Sequence, residues 1–153
     1  LDMDQRYSSY IDSVESDKSI RFSVPIAARR PLYCSAAGRL FLAHMSERQR
    51  DSYYSNTNLE KLTENTATDR VELEKIVADI RKSGISITMG AYSADGSGFA
   101  APIYNSDGEV VAAITIGVPL SRAQRDKQKY IEAALKAGAD ISKILGYSGG
   151  GSR

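Results

Sequence analysis

The chain has 153 residues, 42% of them hydrophobic and 25% charged, a composition that suits one soluble globular domain large enough to bury a core. Twenty basic residues against nineteen acidic ones leave a net charge of +1, so this segment lacks the basic excess expected of a nucleic-acid-binding domain. The single cysteine, Cys34, excludes an intrachain disulfide, and no apolar run reaches the roughly 20 residues that span a membrane. We therefore expect a cytoplasmic domain.

The first half of the chain predicts two strands followed by three helices. Residues 5–14 form an extended-looking opening stretch, and the alternation of apolar and polar side chains over 21–26 is typical of a half-buried strand. Capping residues then indicate helices that begin after Ser35, Ser46 and Asp69, the last two with the spacing of a capping box.

The second half predicts three strands and a final helix. Residues 85–89 alternate in polarity, 99–104 are apolar, and 110–118 are the most β-prone run of the chain. Between the last two, 105–108 read Asn-Ser-Asp-Gly, a strong hairpin-turn signal because glycine tolerates a positive φ. An amphipathic helix is predicted over 121–145, with its apolar stripe facing the sheet.

This order of elements predicts an α+β fold. Strands joined by short turns pair antiparallel, so we expect an antiparallel sheet of about five or six strands with helices packed on it. Residues 1–147 are predicted to form this domain, and the glycine-rich residues 148–153 a flexible tail. The start at Leu1 rather than Met predicts a piece of a longer protein.

The residue inventory argues against catalysis. His44 is the only histidine and lies on a predicted helix, where a lone histidine is far more often a surface or packing residue than a general base. Histidine and cysteine clusters for a metal are excluded by count, and no P-loop, dinucleotide fingerprint or nucleophile elbow is present. Cys34 is predicted to be a buried small residue. We expect no enzyme activity, no metal and no cofactor.

One local feature points to ligand binding. Ser35-Ala36-Ala37-Gly38 places small side chains in the first turn of a helix, where unpaired backbone N–H groups and the positive dipole end can hold a carboxylate or phosphate. The alternative, favoured by these four residues taken alone, is close packing of the helix against the sheet.

Five segments in order resemble the effector-binding domain of IclR-type transcription regulators. The first, Arg30 to Ala43, is similar to the Pro-Leu, Ser/Thr-Ala-x-Gly-Lys and Leu-Ala motif that opens that domain. The resemblance covers about residues 7–146. The other matching segments are 80–84, 100–103 with 107–108, 112–119, and 141–146.

This resemblance implies a GAF-like fold in which an antiparallel sheet cups a ligand beneath the helix that starts at Ser35. Regulators of this family bind small organic acids or aromatic compounds in this domain, and a separate upstream winged helix-turn-helix domain binds DNA. Homodimers and homotetramers are usual, and both activators and repressors occur. The implied partners are therefore a small carboxylate effector, a second copy of the chain, and DNA only through the other domain.

The resemblance also implies where the ligand lies. Ala36 and Ala37 would donate backbone hydrogen bonds to its carboxylate. The remaining implied contacts are Phe22 on an apolar wall and, on the later strands, Thr88, Gly98, Thr115 and Gly117. Several of these positions are larger or more polar in glyoxylate-type sensors, so we expect a bulkier, aromatic carboxylate here, with Arg30 or Arg39 as a possible charge-assisted partner.

The main rival to a sensor is a non-catalytic GAF-like module that serves oligomerisation and has a vestigial pocket. A pocket filled by Phe22, Phe41 and Met89 would favour this alternative. For the sensor, the hypothesis is that the ligand's different affinity for two arrangements of the domain shifts subunit packing and so controls DNA binding.

Overall fold

The computed structural model describes residues 6–19 and 24–149, which form two antiparallel sheets with helices packed around the larger one. None of the helices in these ranges is long and apolar enough to cross a membrane. In chain order the elements are β1 (Tyr7–Ser9), β2 (Arg29–Pro31), α1 (Ala36–His44), α2 (Glu47–Ser55), α3 (Arg70–Ser83), β3 (Ser86–Met89), β4 (Gly96–Tyr104), β5 (Val110–Pro119), α4 (Leu120–Arg125) and α5 (Lys127–Ile144).

The helices begin where their capping residues predict. The Ser35 hydroxyl accepts a hydrogen bond from the Gly38 N–H at 3.1 Å, and Ser46 and Asp69 each accept one from the third residue of their own helix. These side chains satisfy N–H groups that have no partner within the helix. At the other end of α3, Gly84 has a φ of 74° and ends the helix in the left-handed conformation.

The main sheet has the strand order β3-β4-β5 and separates two cores. Side chains alternate between the faces of a strand, so Ala100 packs beneath α1 and α3 whereas Phe99 and Ala101 pack against α5. All three of these side chains are at most 1% exposed. α1 therefore packs on one face of the main sheet, and α5 packs on the other.

Two arginines hold the C-terminal end of α1. The Arg50 Nη1 donates to the Met45 carbonyl at 2.8 Å, and Arg81 donates to the carbonyls of Ala43 and Met45 at 2.6 and 3.0 Å. Cations stabilise the last turn of a helix because its carbonyls carry the negative end of the dipole. Arg50 also pairs with Glu74 on α3 at 2.8 Å, and this guanidinium holds the pKa of the Glu74 carboxyl below its usual range. α1 is thereby fixed to α2 and α3.

The fold class is α+β as predicted, but the strands are divided differently. Instead of one sheet of five or six strands, the described residues form a three-stranded sheet and a separate pair, β1 and β2. Of the strand predicted over 21–26, residues 21–23 lie outside the described ranges, and 24–26 are not in a strand. The second strand lies instead at Arg29–Pro31, and it ends at a proline, which has no N–H to continue a ladder.

The last helix also departs from the prediction. Asp126, with φ −116° and ψ 26°, interrupts it, so that α4 and α5 are separate helices. α5 buries the small residues Ala134, Gly138 and Ser142, whereas Ile144 is 82% exposed. An ideal Cβ on Gly138 would lie 2.7 Å from the Pro102 carbonyl oxygen, so the helix approaches the sheet too closely for large side chains at its centre.

Candidate ligand-binding site

The candidate residues converge where the start of α1 crosses the main sheet. In the strand register, Gly98 on β4 lies between Thr88 on β3 and Gly117 on β5. An ideal Cβ on Gly98 would lie 2.9 Å from the Ala36 Cβ, 3.2 Å from the Thr88 Oγ1 and 3.7 Å from the Thr115 Cγ2. Residues from one helix and three strands thus meet at one place.

The first turn of α1 contributes two buried backbone donors. Ala36 is 4% exposed and Ala37 is 9% exposed. The Ser35 side chain satisfies the Gly38 N–H, but within residues 6–19 and 24–149 no acceptor bonds the N–H groups of Ala36 and Ala37. Buried donors without partners cost free energy, and at the positive end of a helix dipole they are suited to an anion.

Hydroxyl groups line the sheet beside this helix end. Thr88 is 7% exposed, Thr115 is half-buried, and Gly117 lies at the exposed rim. Ser86 is fully buried on the same face, opposite Ala100, and its Oγ has no hydrogen-bond partner among the described residues. Sequence reasoning did not nominate Ser86, although it has the same strand parity as Thr88.

Two of the three side chains that would fill a vestigial pocket are described. Phe41 is 8% exposed within the core beneath α1, as its helical position suggests. Met89 packs with the α5 core, on the opposite face of the sheet from Thr88, and so does not occupy the site. Phe22, the third of these residues and the predicted apolar wall, lies outside the described ranges.

The two arginines considered as ligand partners have different roles in the structure. Arg39 is 6% exposed, and its Nε donates to the Tyr33 carbonyl at 2.7 Å, which ties α1 to the loop preceding it. Burial lowers the pKa of Arg39 below its ordinary value. Arg30 is half-buried, and its guanidinium lies over the ring of Tyr92, with the carbon atom 4.3 Å from the ring centroid.

The groups most capable of chemistry are not arranged for it. Cys34 is completely buried, and this burial raises the pKa of its thiol to about 11, so the reactive thiolate is scarce near neutral pH. His44 makes an edge contact with Tyr104 at 6.0 Å between ring centroids, and burial of its ring lowers its pKa. The described part of the chain has no group of histidine, cysteine and acidic residues placed to hold a metal.

An open cavity lies elsewhere, on the α5 face of the sheet. It has a volume of about 830 Å³, and its lining includes Tyr104, Leu135, Lys143 and Tyr147. None of the described candidate residues lines it. The cavity and the convergence of residues beneath α1 are therefore two separate features on opposite faces of the sheet.

The family described as bacterial transcriptional regulator IclR C-terminal matches residues 2–143 of the chain. The chain belongs to this family. It is 31% identical over 147 residues to the transcriptional repressor IclR of Escherichia coli strain K12, covering 95% of this chain and 54% of that protein. It is also 31% identical over 137 residues to the transcriptional repressor AllR of the same strain, covering 89% and 51%. The IclR-family chain thus spans about half the length of these relatives.

Solved structures of the family share the fold. A transcriptional regulator from Rhodococcus sp. RHA1 superposes with a TM-score of 0.87 at 28% identity, covering 95% of this chain and 59% of that chain. IclR of Thermotoga maritima superposes with a TM-score of 0.83 at 28% identity, covering 94% and 58%. The predicted family and the α+β fold class are confirmed. The relatives named here are transcription regulators rather than enzymes, in agreement with the inventory of residues.

Proposed function

We propose that this IclR-family domain senses a small organic carboxylate, with an aromatic acid as the leading candidate, and thereby controls DNA binding by the regulator to which it belongs. The observation that carries the proposal is the pair of buried, unpaired N–H groups of Ala36 and Ala37 at the start of α1. The Ala36 side chain of this helix turn faces Gly98 on the sheet, next to the Thr88 hydroxyl and the Thr115 methyl group. A carboxylate at this point gains hydrogen bonds to both kinds of donor.

The close approach of α1 to the sheet defines where the ligand body lies. Since an ideal Cβ on Gly98 already comes within 2.9 Å of the Ala36 Cβ, no ligand atom fits between these two residues. The ligand body therefore extends sideways, towards half-buried Thr115 and the exposed rim at Gly117. The absence of a side chain at Gly117 leaves room at this rim for a ring.

α1 also provides a route by which binding alters the rest of the domain. Its N-terminal end meets the ligand, and its C-terminal end is held by Arg50 of α2 and Arg81 of α3. A ligand that prefers one position of α1 therefore biases the positions of α2 and α3 as well. In the whole regulator, a cytoplasmic homodimer or homotetramer, this shift would reposition upstream winged helix-turn-helix domains on DNA.

Thermal unfolding in the presence of candidate acids tests the proposal. The panel is glyoxylate, pyruvate, benzoate and 4-hydroxybenzoate, and a ligand that binds only the folded state stabilises it by roughly 2.7 kcal/mol at one hundred times its Kd. We expect a shift with at least one acid. Ala37→Asp, which places a carboxylate at the start of α1, is expected to abolish it by occupying and repelling the anion site.

Ala133→Asp is the matched control, because it makes the same substitution at an exposed position on α5, away from the site. It should leave the ligand-induced shift intact. If the folded protein responds to no acid in the panel, the carboxylate-sensor proposal is wrong. An oligomer in sedimentation experiments would then support the assembly-module alternative.

A further inference from the structure

We propose that Arg30 binds the effector's carboxylate and makes the domain prefer acids over uncharged analogues. This inference rests on the proposed function, because it assigns a specificity-determining residue to the same site. Its starting point is the contact between Arg30 on β2 and Tyr92 in the turn between β3 and β4.

The Arg30 guanidinium has donors available for a ligand. Its carbon lies 4.3 Å from the centroid of the Tyr92 ring, and its one described hydrogen bond is a long one, 3.4 Å from Nη1 to the Arg29 carbonyl. No described carboxylate forms an ion pair with it. A guanidinium stacked on an aromatic ring uses its flat face, so its N–H edge stays free to bind a carboxylate with two hydrogen bonds.

Arg30 lies on β2, in the segment that leads into the start of α1. Arg30 immediately precedes Pro31, whose carbonyl accepts a hydrogen bond from the Ser35 hydroxyl at 3.0 Å, and Ser35 caps α1. The Arg30 backbone is therefore one residue along the chain from the carbonyl that contacts the N-cap of α1. Tyr92 follows Thr88 by four residues. The Arg30–Tyr92 pair thus bridges the two segments that carry the site.

Tyr92 is a fixed platform for the arginine, because the turn that carries it is held by hydrogen bonds. The Thr63 hydroxyl donates to the Gly90 carbonyl at 2.6 Å, and the Thr66 hydroxyl donates to the Ala91 carbonyl at 2.7 Å. These bonds fix the two residues that precede Tyr92. A cation held in place in this way loses little further freedom when a ligand binds, which favours affinity.

The neighbouring arginine supplies a matched comparison. Arg29 also stacks on a tyrosine, with its guanidinium carbon 4.5 Å from the Tyr7 ring centroid. Adjacent residues of a strand point to opposite sides, so Arg29 points away from the Tyr92 turn. The two residues have the same type, lie on the same strand and each stack on a tyrosine, but their side chains lie on opposite sides of the strand.

Isothermal titration with the tightest-binding acid of the panel above, and with the amide of that acid, tests the inference. For the carboxylate, Arg30→Gln is expected to weaken binding by roughly tenfold to a hundredfold, the range for loss of a charged hydrogen-bond partner. The affinity for the amide should change little, so the preference for acid over amide falls. Arg29→Gln should leave both affinities and their ratio unchanged.

The outcomes separate the two proposals. If the unsubstituted protein binds an acid and Arg30→Gln retains both the affinity and the acid-over-amide ratio, the role of Arg30 is wrong while the sensor proposal stands. If the unsubstituted protein binds no acid, both are overturned. Should Arg30→Gln fail to fold, Arg30→Lys replaces it. That variant keeps the charge and loses the two-pronged geometry, so an unchanged affinity would contradict the inference.

Discussion

Replacing Gly98 by alanine should reveal how closely α1 approaches the sheet. The added methyl group would lie 2.9 Å from the Ala36 Cβ and 3.2 Å from the Thr88 Oγ1, both tighter than ordinary contacts. Overpacking of this kind costs roughly 1 to 3 kcal/mol. For a domain of this size, 1 kcal/mol corresponds to about 2 to 4 °C in Tm, so we expect Gly98→Ala to lower Tm by roughly 2 to 12 °C.

The cause can be separated from a general effect of the substitution. Gly98 does not have a left-handed φ, so alanine introduces no backbone strain in the folded state. Alanine also restricts the unfolded chain more than glycine does, and this effect by itself would stabilise the protein. Adding Ala36→Gly removes the opposing methyl group and should recover part of the lost stability, giving a favourable coupling in the double-mutant cycle. Scanning calorimetry of the four proteins measures this. A Gly98→Ala variant as stable as the parent, or strictly additive effects, would refute the close approach.

Three further predictions concern the packing of the domain. Glu74→Gln should lower stability at pH 7 by roughly 1 to 3 kcal/mol, because it leaves the buried Arg50 charge without its partner. The pKa of Glu74 is depressed in the folded state, so the pair's contribution to the free energy of unfolding is fully present above the unfolded-state pKa of the carboxyl. This contribution is lost as the pH falls through the folded-state pKa, and the denaturation curves of parent and variant should therefore converge in acid. Iodoacetamide should leave Cys34 unmodified in the native protein at pH 8 and label it in urea, because burial raises its pKa to about 11; rapid native labelling would contradict this. Gly138→Ala should lower Tm through a clash with the Pro102 carbonyl, and an unchanged melting curve would argue against it.

The sequence alone determined the features that depend on neighbours along the chain. Ser35, Ser46 and Asp69 cap helices because a side-chain oxygen reaches an N–H group only three residues away. Gly108, with a φ of 78°, makes the turn between β4 and β5 as the Asn-Ser-Asp-Gly pattern predicts. Motifs spread in order along the chain were sufficient to identify the family.

Part of the candidate site was also accessible from sequence, through strand parity. Thr115 and Gly117 are two residues apart on β5, and any strand places such residues on one face. The same rule applied to β3 would have added Ser86 to Thr88. Parity alone could not indicate that this face of the sheet lies beneath α1, or that the Ser86 hydroxyl is left without a partner.

Only the tertiary structure decided how distant segments meet. Nothing in the sequence around Ala36 or Gly98 indicates that the Ala36 side chain packs directly over Gly98, because the contact joins segments that are about sixty residues apart along the chain. The same holds for the two arginines, of which Arg39 is buried against its own loop while Arg30 reaches Tyr92. Local chemistry sets where an element begins and ends. The packing of elements depends on the shapes of all their surfaces at once, and that packing brings the start of α1 against Gly98 and the Thr88 hydroxyl.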